Sequence, residues 1–317
     1  MLRWLIVLLC LVFGTAAAAF PDKPIRFVIP SAPGGSPDVL MRILLAEMSK
    51  HMGVAFVVEN KPGASFVIGT MDVVRAAPDG YTLGYGNIVS LAVNRSLLEK
   101  VPYEAERDLT LVSNVVRVYN MLAVNNSLAV RTVPELIAYA KRNPGRLVMA
   151  SAGNGTTGHL GGELFKSMTG TFILHVPYRG SAQAINDLIG GQVQLMFDNV
   201  PSIGPHVKAG RVRGIAVSGP RRSPVFPEIP TVAEAGVPGY ETIAWGGVIG
   251  PANLPKDIIA RLHAEVRAAL ASPALQERYR NLDTEIDGGT PEEFLALVRA
   301  ETPKWAAVVK RSGAKVD

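Results

Sequence analysis

The stretch from Ile25 to Asp38 constrains this chain more than any other. Ile25 to Ile29 is a run of β-branched and aromatic residues that reads as a buried strand. It breaks at Pro30, passes through Ser31, Ala32, Pro33, Gly34 and Gly35, and restarts with helix-start chemistry. Ser36 is expected as N-cap, Pro37 at the first helical position and Asp38 in the first turn. A strand, a glycine-bearing loop and a helix N-terminus together make a place where backbone N–H groups point at an anion.

The same arrangement recurs about 120 residues later. Leu147 to Ala150 reads as a strand and Ser151-Ala152-Gly153-Asn154-Gly155-Thr156-Thr157-Gly158 as a loop. A helix is expected from near His159, with Leu160, Leu164, Phe165 and Met168 on it. Between and around these loops, strands alternate with helices. Strands are expected at 54–59, 81–85, 172–176, 192–197, 212–217 and 243–249, with two extended stretches in 109–124 around Asn114 and Arg117. Helices are expected at 39–50, 66–76, 132–142 and 181–189, the last capped by Ser181. Two amphipathic helices complete the chain, at 256–271 and after Thr290. Thr132 with Glu135 and Thr290 with Glu293 have capping-box spacing. Alternation of this kind predicts α/β architecture with a parallel sheet and ligands beyond the carboxyl ends of the strands. Ser31–Gly35 and Gly86-Asn87 occupy such ends. Crossings near residues 118 and 243 predict two α/β lobes joined by two hinge-crossing strands: 20–118 plus 243–317, and 119–242.

The first residues carry a targeting pattern. Arg3 is the positive start, Leu5 to Phe13 the apolar segment, and Ala17-Ala18-Ala19 a small-residue cleavage site, so residues 1–19 are expected to be a signal peptide. The apolar segment is short of the ~20 residues that a spanning helix needs. Cys10 is the one cysteine in the chain and lies inside this segment, which excludes a disulfide-built scaffold and fits export to a bacterial periplasm. With 317 residues, 48% hydrophobic and 19% charged, two lobes can each bury a core. The net charge of +5 is not clustered, and no basic run with interleaved aromatics points to nucleic acid.

Neither glycine loop contains Lys or Arg. An anion held there is held by backbone amides, by the hydroxyls of Ser31, Ser151, Thr156 and Thr157, and by helix ends worth about 0.3–2 kcal/mol each. Nucleotide loops are excluded by spacing, and a serine-hydrolase elbow is absent. His159 and Asp198 can be drawn into a triad with Ser151, but nothing in the sequence makes them touch. The five histidines show no metal spacing, and neither metal nor cofactor is expected. Asp198 and Asn199 end a strand on the rim of the second loop, as either ligand contacts or Asx-type supports. Tyr178 and Arg179 end another strand, Arg179 being the one nearby cation. Trp245 is expected to pack between the lobes.

Several segments together resemble the periplasmic solute-binding proteins of tripartite tricarboxylate transporters, the Bug family. They are Pro21-Asp22-Lys23-Pro24 leading to Pro30, Gly34-Gly35 and Asp38, then Val58 to Ala64, and Ala77 to Leu83. Further matches are Gly153-Asn154-Gly155 with His159-Leu160, His175 to Tyr178, Met196 to Asn199, and Pro230 to Gly236. The resemblance spans the whole mature chain. It implies a two-lobed, type II Venus-flytrap fold, a small carboxylate ligand held between the lobes, no catalysis, and a transient inner-membrane permease partner for a monomeric protein. The ligand residues it implies, joined to those read above, are Ser31, Ala32, Gly34, Gly35, Asn87, Ser151, Gly153, Asn154, Gly155, Thr156, Thr157, Tyr178, Asp198 and Asn199. The chain departs from the family pattern at Pro33, which removes an amide donor, at Pro37, where Thr is usual, and at Gly158, where Ser is frequent. An exported hydrolase using Ser151 or Ser31, and a binding protein that serves a sensor, stand as the alternatives.

Overall fold

The computed structural model describes residues 20–314, so the expected signal peptide lies outside the described residues. The chain forms β1 (Ile25–Ile29), α1 (Ser36–Met52), β2 (Phe56–Asn60), α2 (Val67–Val74) and β3 (Thr82–Asn87). A π-helical turn at Val89–Val93 runs into α3 (Asn94–Leu97), and α4 (Ala105–Asp108) leads into β4 (Leu109–Val124). Next come α5 (Val133–Arg142), β5 (Val148–Ser151), α6 (Thr157–Thr169), β6 (Leu174–Pro177), α7 (Ser181–Ile189), β7 (Leu195–Asn199), α8 (Val200–Lys208) and β8 (Arg213–Val217). The chain ends with β9 (Ile243–Pro251), α9 (Lys256–Leu270), α10 (Pro273–Asn281), β10 (Thr284–Ile286) and α11 (Pro291–Ser312).

The strands join in the order β2-β1-β3-β9-β4-β7-β5-β6, with β8 and β10 also pairing on β4. Parallel pairing, expected throughout, holds only at the two ends, in β2-β1-β3 and β7-β5-β6. The middle is antiparallel. The reason is topological: β4 leads out of one end of the sheet and β9 returns to it, so the two run in opposite directions. The two stretches expected in 109–124 are a single strand. Its residues 109–119 pair with β9 and its residues 120–124 with β7. Register breaks fall between Leu111 and Ser113 and between Asn114 and Val116. Gly247 stands opposite Asn114 at the second, where a Cβ would sit 1.9 Å from the Ser113 carbonyl oxygen.

Apolar side chains segregate as the periodicity requires. Phe27, Leu44, Met48, Val248, Leu262 and Tyr279 centre the core under β1, α1 and α9. Phe165, Phe197 and Tyr240 centre one core at the other end of the sheet, and Ile185, Met196 and Ile203 its opposite face. A fourth cluster joins Trp245, Phe294, Leu91 and Leu160, binding α11 and α6 to the middle strands. Each fully buried Leu or Phe contributes about 1.5–3 kcal/mol.

Helix starts follow the expected chemistry at two of four places. Thr290 and Glu293 form the complete capping box. Thr132 accepts from the Glu135 amide, while the Glu135 carboxylate accepts from Arg131 instead of from the cap. Ser36 and Ser181 are not caps: Gly35 and Gly180 hold those positions, and both serines lie inside their helices. Unforeseen elements are the π-helical turn, α3 and α4, then α8, which carries Pro201, Gly204 and Pro205, and the short α10 and β10.

Candidate ligand-binding site

The β1–α1 loop is shaped by Asp38. Its carboxylate accepts from the Gly34 amide at 3.0 Å, from Arg42 at 2.8 Å and from the Asn60 amide at 3.0 Å, while Asn60 also donates to the Ser31 carbonyl. Asp38 therefore closes the loop as well as countering the helix dipole. The β5–α6 loop is closed by its own hydroxyls. Thr156 Oγ1 donates to the Gly153 carbonyl and accepts from His159 N–H, which caps α6.

A cavity of about 630 Å³ lies between these loops. Of the predicted residues, Ser31, Ala32, Gly35 and Asn87 line it from one side, and Gly153, Asn154, Thr156 and Thr157 from the other. Tyr178, Asp198 and Asn199 complete the predicted wall, with Arg179 beside them. Three predicted residues do not line it. Gly34 donates its amide to Asp38, Gly155 donates its amide to His159 Nδ1, and Ser151 is fully buried behind the loop. Asn87 Oδ1 accepts from the amides of Val89 and Ser90, so it also holds the π-helical turn. A second hollow of about 620 Å³, bordered by Arg117, Arg267, Asp287 and Glu293, is lined by residues of neither glycine loop.

Sequence reasoning missed a third loop. Pro62 to Phe66 lines the same cavity, and Ala64, Ser65 and Phe66 all take left-handed backbone, with φ of 43°, 49° and 71°. Three consecutive non-glycine residues in that region store strain of the kind found at ligand clamps. Asn94 Nδ2 holds the loop through the Ser65 carbonyl, and Ser65 Oγ donates to the Asn154 carbonyl from the opposite loop. Trp245, placed between the lobes by sequence, lines the cavity and packs edge-on against Phe294.

The electrostatics are spare. Arg179 and Asp198 are the charged residues of the lining, and Arg179 is exposed. Tyr178 donates its hydroxyl to Asp187 at 2.6 Å, and burial pushes that phenol up to about 12. Asp198 is 5% exposed; its Oδ1 accepts from Ser181 at 3.1 Å and its Oδ2 has no partner. Ser31 Oγ and Trp245 Nε1 are likewise buried without a partner. Unpaired buried polar atoms cost about 1–3 kcal/mol each.

The triad drawn from sequence does not form. Ser151 Oγ lies 2.7 Å from Nε2 of His175, whereas Asp198 is bonded to Ser181. His175 stacks on His159 with ring centroids 4.1 Å apart. Burial lowers both rings, to about 4 and about 3, and keeps them neutral. Because His159 Nδ1 accepts the Gly155 amide, its proton is on Nε2, toward Glu163. His159, Glu163 and His175 bring their ligand atoms within 4.8 Å, a grouping that sequence spacing did not reveal. Lys166 occupies Glu163 at 2.6 Å, and Gly155 and Ser151 occupy one nitrogen of each ring.

Comparison with known proteins identifies the family. Residues 40–314 match the model of the tripartite tricarboxylate transporter family receptor, TctC. Protein BugT of Bordetella pertussis is 36% identical over 302 residues, covering 95% of this chain and 93% of its own. The structure described as R. palustris Rpa4515 with adipate superposes with a TM-score of 0.91 at 39% identity, covering 94% of this chain and 100% of that one. The periplasmic binding protein BugD gives 0.90 at 34%, covering 93% and 99%. MatC from Rhodopseudomonas palustris, with bound malate, gives 0.87 at 30%, covering 92% and 100%. The fold is the two-lobed α/β fold of periplasmic binding proteins, and the chain belongs to the TctC family of solute-binding receptors.

Proposed function

We propose that this protein is exported to the periplasm, closes two lobes on a small carboxylate, and delivers it to a tripartite tricarboxylate transporter permease without catalysis. The lobes are residues 20–118 with the segment from 243 onward, and 119–242, and the protein acts as a monomer. The observation that carries the reading is the cavity between two strand–glycine loop–helix units, walled by hydroxyls and loop backbone and by a single exposed cation. The switch of β4 from β9 to β7 at residues 119–120 supports the lobe boundary. The adipate and malate in related structures support the ligand class. The loop residues Ser31, Ala32, Gly35, Gly153, Asn154, Thr156 and Thr157 contact the carboxylate in this reading. Gly34, Gly155 and Ser151 act from behind by setting the loop backbone.

Thermal denaturation against a panel of mono-, di- and tricarboxylates, amino acids and sugars tests it. A ligand at 100 times its Kd adds about 2.7 kcal/mol, which raises the midpoint by about 5–10 °C. Dicarboxylates are expected to produce that shift. A panel in which no carboxylate does so, while a sugar does, overturns the reading.

A further inference from the structure

Asp198 ends β7 on the cavity wall. Ser181 donates its hydroxyl to Oδ1 at 3.1 Å, and Oδ2 has no partner. Around it pack β4, β5, α6, α7 and α8. No ion pair reaches it among the described residues. The ionisable groups those elements carry are engaged elsewhere or lie far along their helices. On β4, Arg117 pairs with Asp287, and the Tyr119 hydroxyl points to Glu285. On α6, His159 is neutral against Gly155, and Glu163 pairs with Lys166. On α7, Asp187 holds the Tyr178 hydroxyl, and on α8, His206 and Lys208 sit in the last turn. β5 carries no ionisable side chain. Tyr85, Tyr178 and Arg179 are the other titratable or charged residues of the lining.

An ionised Asp198 facing a bound carboxylate would set two like charges together with no cation between them, the arrangement that forces one group to keep its proton. Ser181 engages Oδ1 and leaves Oδ2 without a partner; with the serine hydroxyl donating, the acid hydroxyl of the neutral form is Oδ2.

We propose that Asp198 binds the ligand as the neutral acid, its Oδ2–H donating to a ligand carboxylate oxygen, so that capture of the anion takes up a proton from solvent. The inference rests on the carboxylate reading above. Burial, opposed by the Ser181 hydroxyl and the Asn199 amide, already pushes the Asp198 carboxyl up to about 7, and an adjacent anion pushes it further. Below that pH the acid is preformed; above it, each bound anion must bring a proton. A short O–H···O⁻ bond of this kind is roughly twice as strong as a neutral one.

The test is calorimetric titration of the mature protein with adipate, in phosphate and in Tris, at pH 6.5 and pH 8.5. Wild type is expected to bind about 25-fold more weakly at pH 8.5, from the single-group linkage relation. The two buffers should differ by the heat of nearly one proton taken up per adipate at the higher pH. Asp198→Asn, which cannot ionise, should flatten the pH curve whatever its absolute affinity. Ser181→Ala removes a bond that favours the ionised form and should move the midpoint to higher pH. Adipate binding with no buffer dependence and a flat wild-type curve overturns this inference and leaves the carboxylate reading intact. A flat wild-type curve with loss of binding in Asp198→Asn marks Asp198 as an ionised acceptor and overturns it too. If neither adipate nor any other carboxylate of the panel binds, both readings fall.

Discussion

Ser65 Oγ donates to the Asn154 carbonyl oxygen at 3.0 Å, linking the strained Pro62–Phe66 loop to the glycine loop on the opposite wall of the cavity. If the lobes open and close as proposed, this bond exists only while the two walls are together. A contact made in the closed state and absent from the open one biases closure directly. Ser65→Ala is expected to weaken dicarboxylate binding by about three- to tenfold, the equivalent of a net hydrogen bond of about 0.5–1.5 kcal/mol. Titration calorimetry measures the affinity, and small-angle scattering of the unliganded variant should show a larger radius of gyration. Unchanged affinity and unchanged scattering would mean that the bond contributes nothing to closure.

Gly158 accounts for one departure from the family pattern. A Cβ there would lie 2.2 Å from the Phe197 carbonyl oxygen, a backbone atom of β7 that cannot swing aside. Glycine at this position lets α6 approach β7, beyond the loss of a serine hydroxyl inferred from sequence. Gly158→Ser is expected to destabilise the protein by roughly 1–3 kcal/mol and to weaken binding, because Asn199 and Asp198 sit on the displaced strand. Chemical denaturation checks the first effect. A variant of unchanged stability would show that β7 moves freely.

Much of the site was legible because its signals are local. Strand Ile25–Ile29, the break at Pro30 and the helix start after Gly35 are read within a dozen residues, and the same holds for Ser151 to Thr157. What was not legible depends on contacts between distant segments. Ala64, Ser65 and Phe66 adopt left-handed backbone that no propensity favours, held by Asn94 about 30 residues on. The Ser151–His175 pair follows from the β5–β6 register, which sets Met149 beside His175 and brings neighbouring strands together. Ser181 reads as a cap by type, yet its hydroxyl serves Asp198. In α10 only Leu275 and Tyr279 are buried, a stripe too thin to register as periodicity.

Arg179 is exposed and makes no ion pair among the described residues, so it is free to meet a second carboxylate. Exposed charge pairs contribute about 0.2–1 kcal/mol. Arg179→Gln should therefore lower dicarboxylate affinity by up to about fivefold while changing monocarboxylate affinity little. Wild-type binding is expected to depend weakly on ionic strength, and that dependence should vanish in the variant. A loss of a hundredfold would mean that the cation, and not the loop amides and hydroxyls, dominates recognition.

The stacked histidines make the protein acid-labile. Burial lowers both rings, His159 to about 3 and His175 to about 4, below the ordinary value near 6.5 that the unfolded chain restores. Groups with depressed folded values contribute stability above the unfolded value and lose it as pH falls toward the folded one. Through these rings the unfolded chain takes up about two protons near pH 5 that the native protein does not, while Asp198, held near 7 in the fold, keeps about one that the unfolded chain releases, so stability should fall by about 1.4 kcal/mol per pH unit there. Burial also lowers His206 and His263, which add to the fall, and raises Asp283, which opposes it. Urea denaturation at half-unit steps from pH 7 to pH 4.5 measures the slope. In His159→Gln or His175→Gln one titrating ring is gone, so the slope between pH 5 and 6 should drop by about 1.4 kcal/mol per pH unit, whatever each variant costs at pH 7. A slope unchanged in both variants would show that the rings are not what titrates.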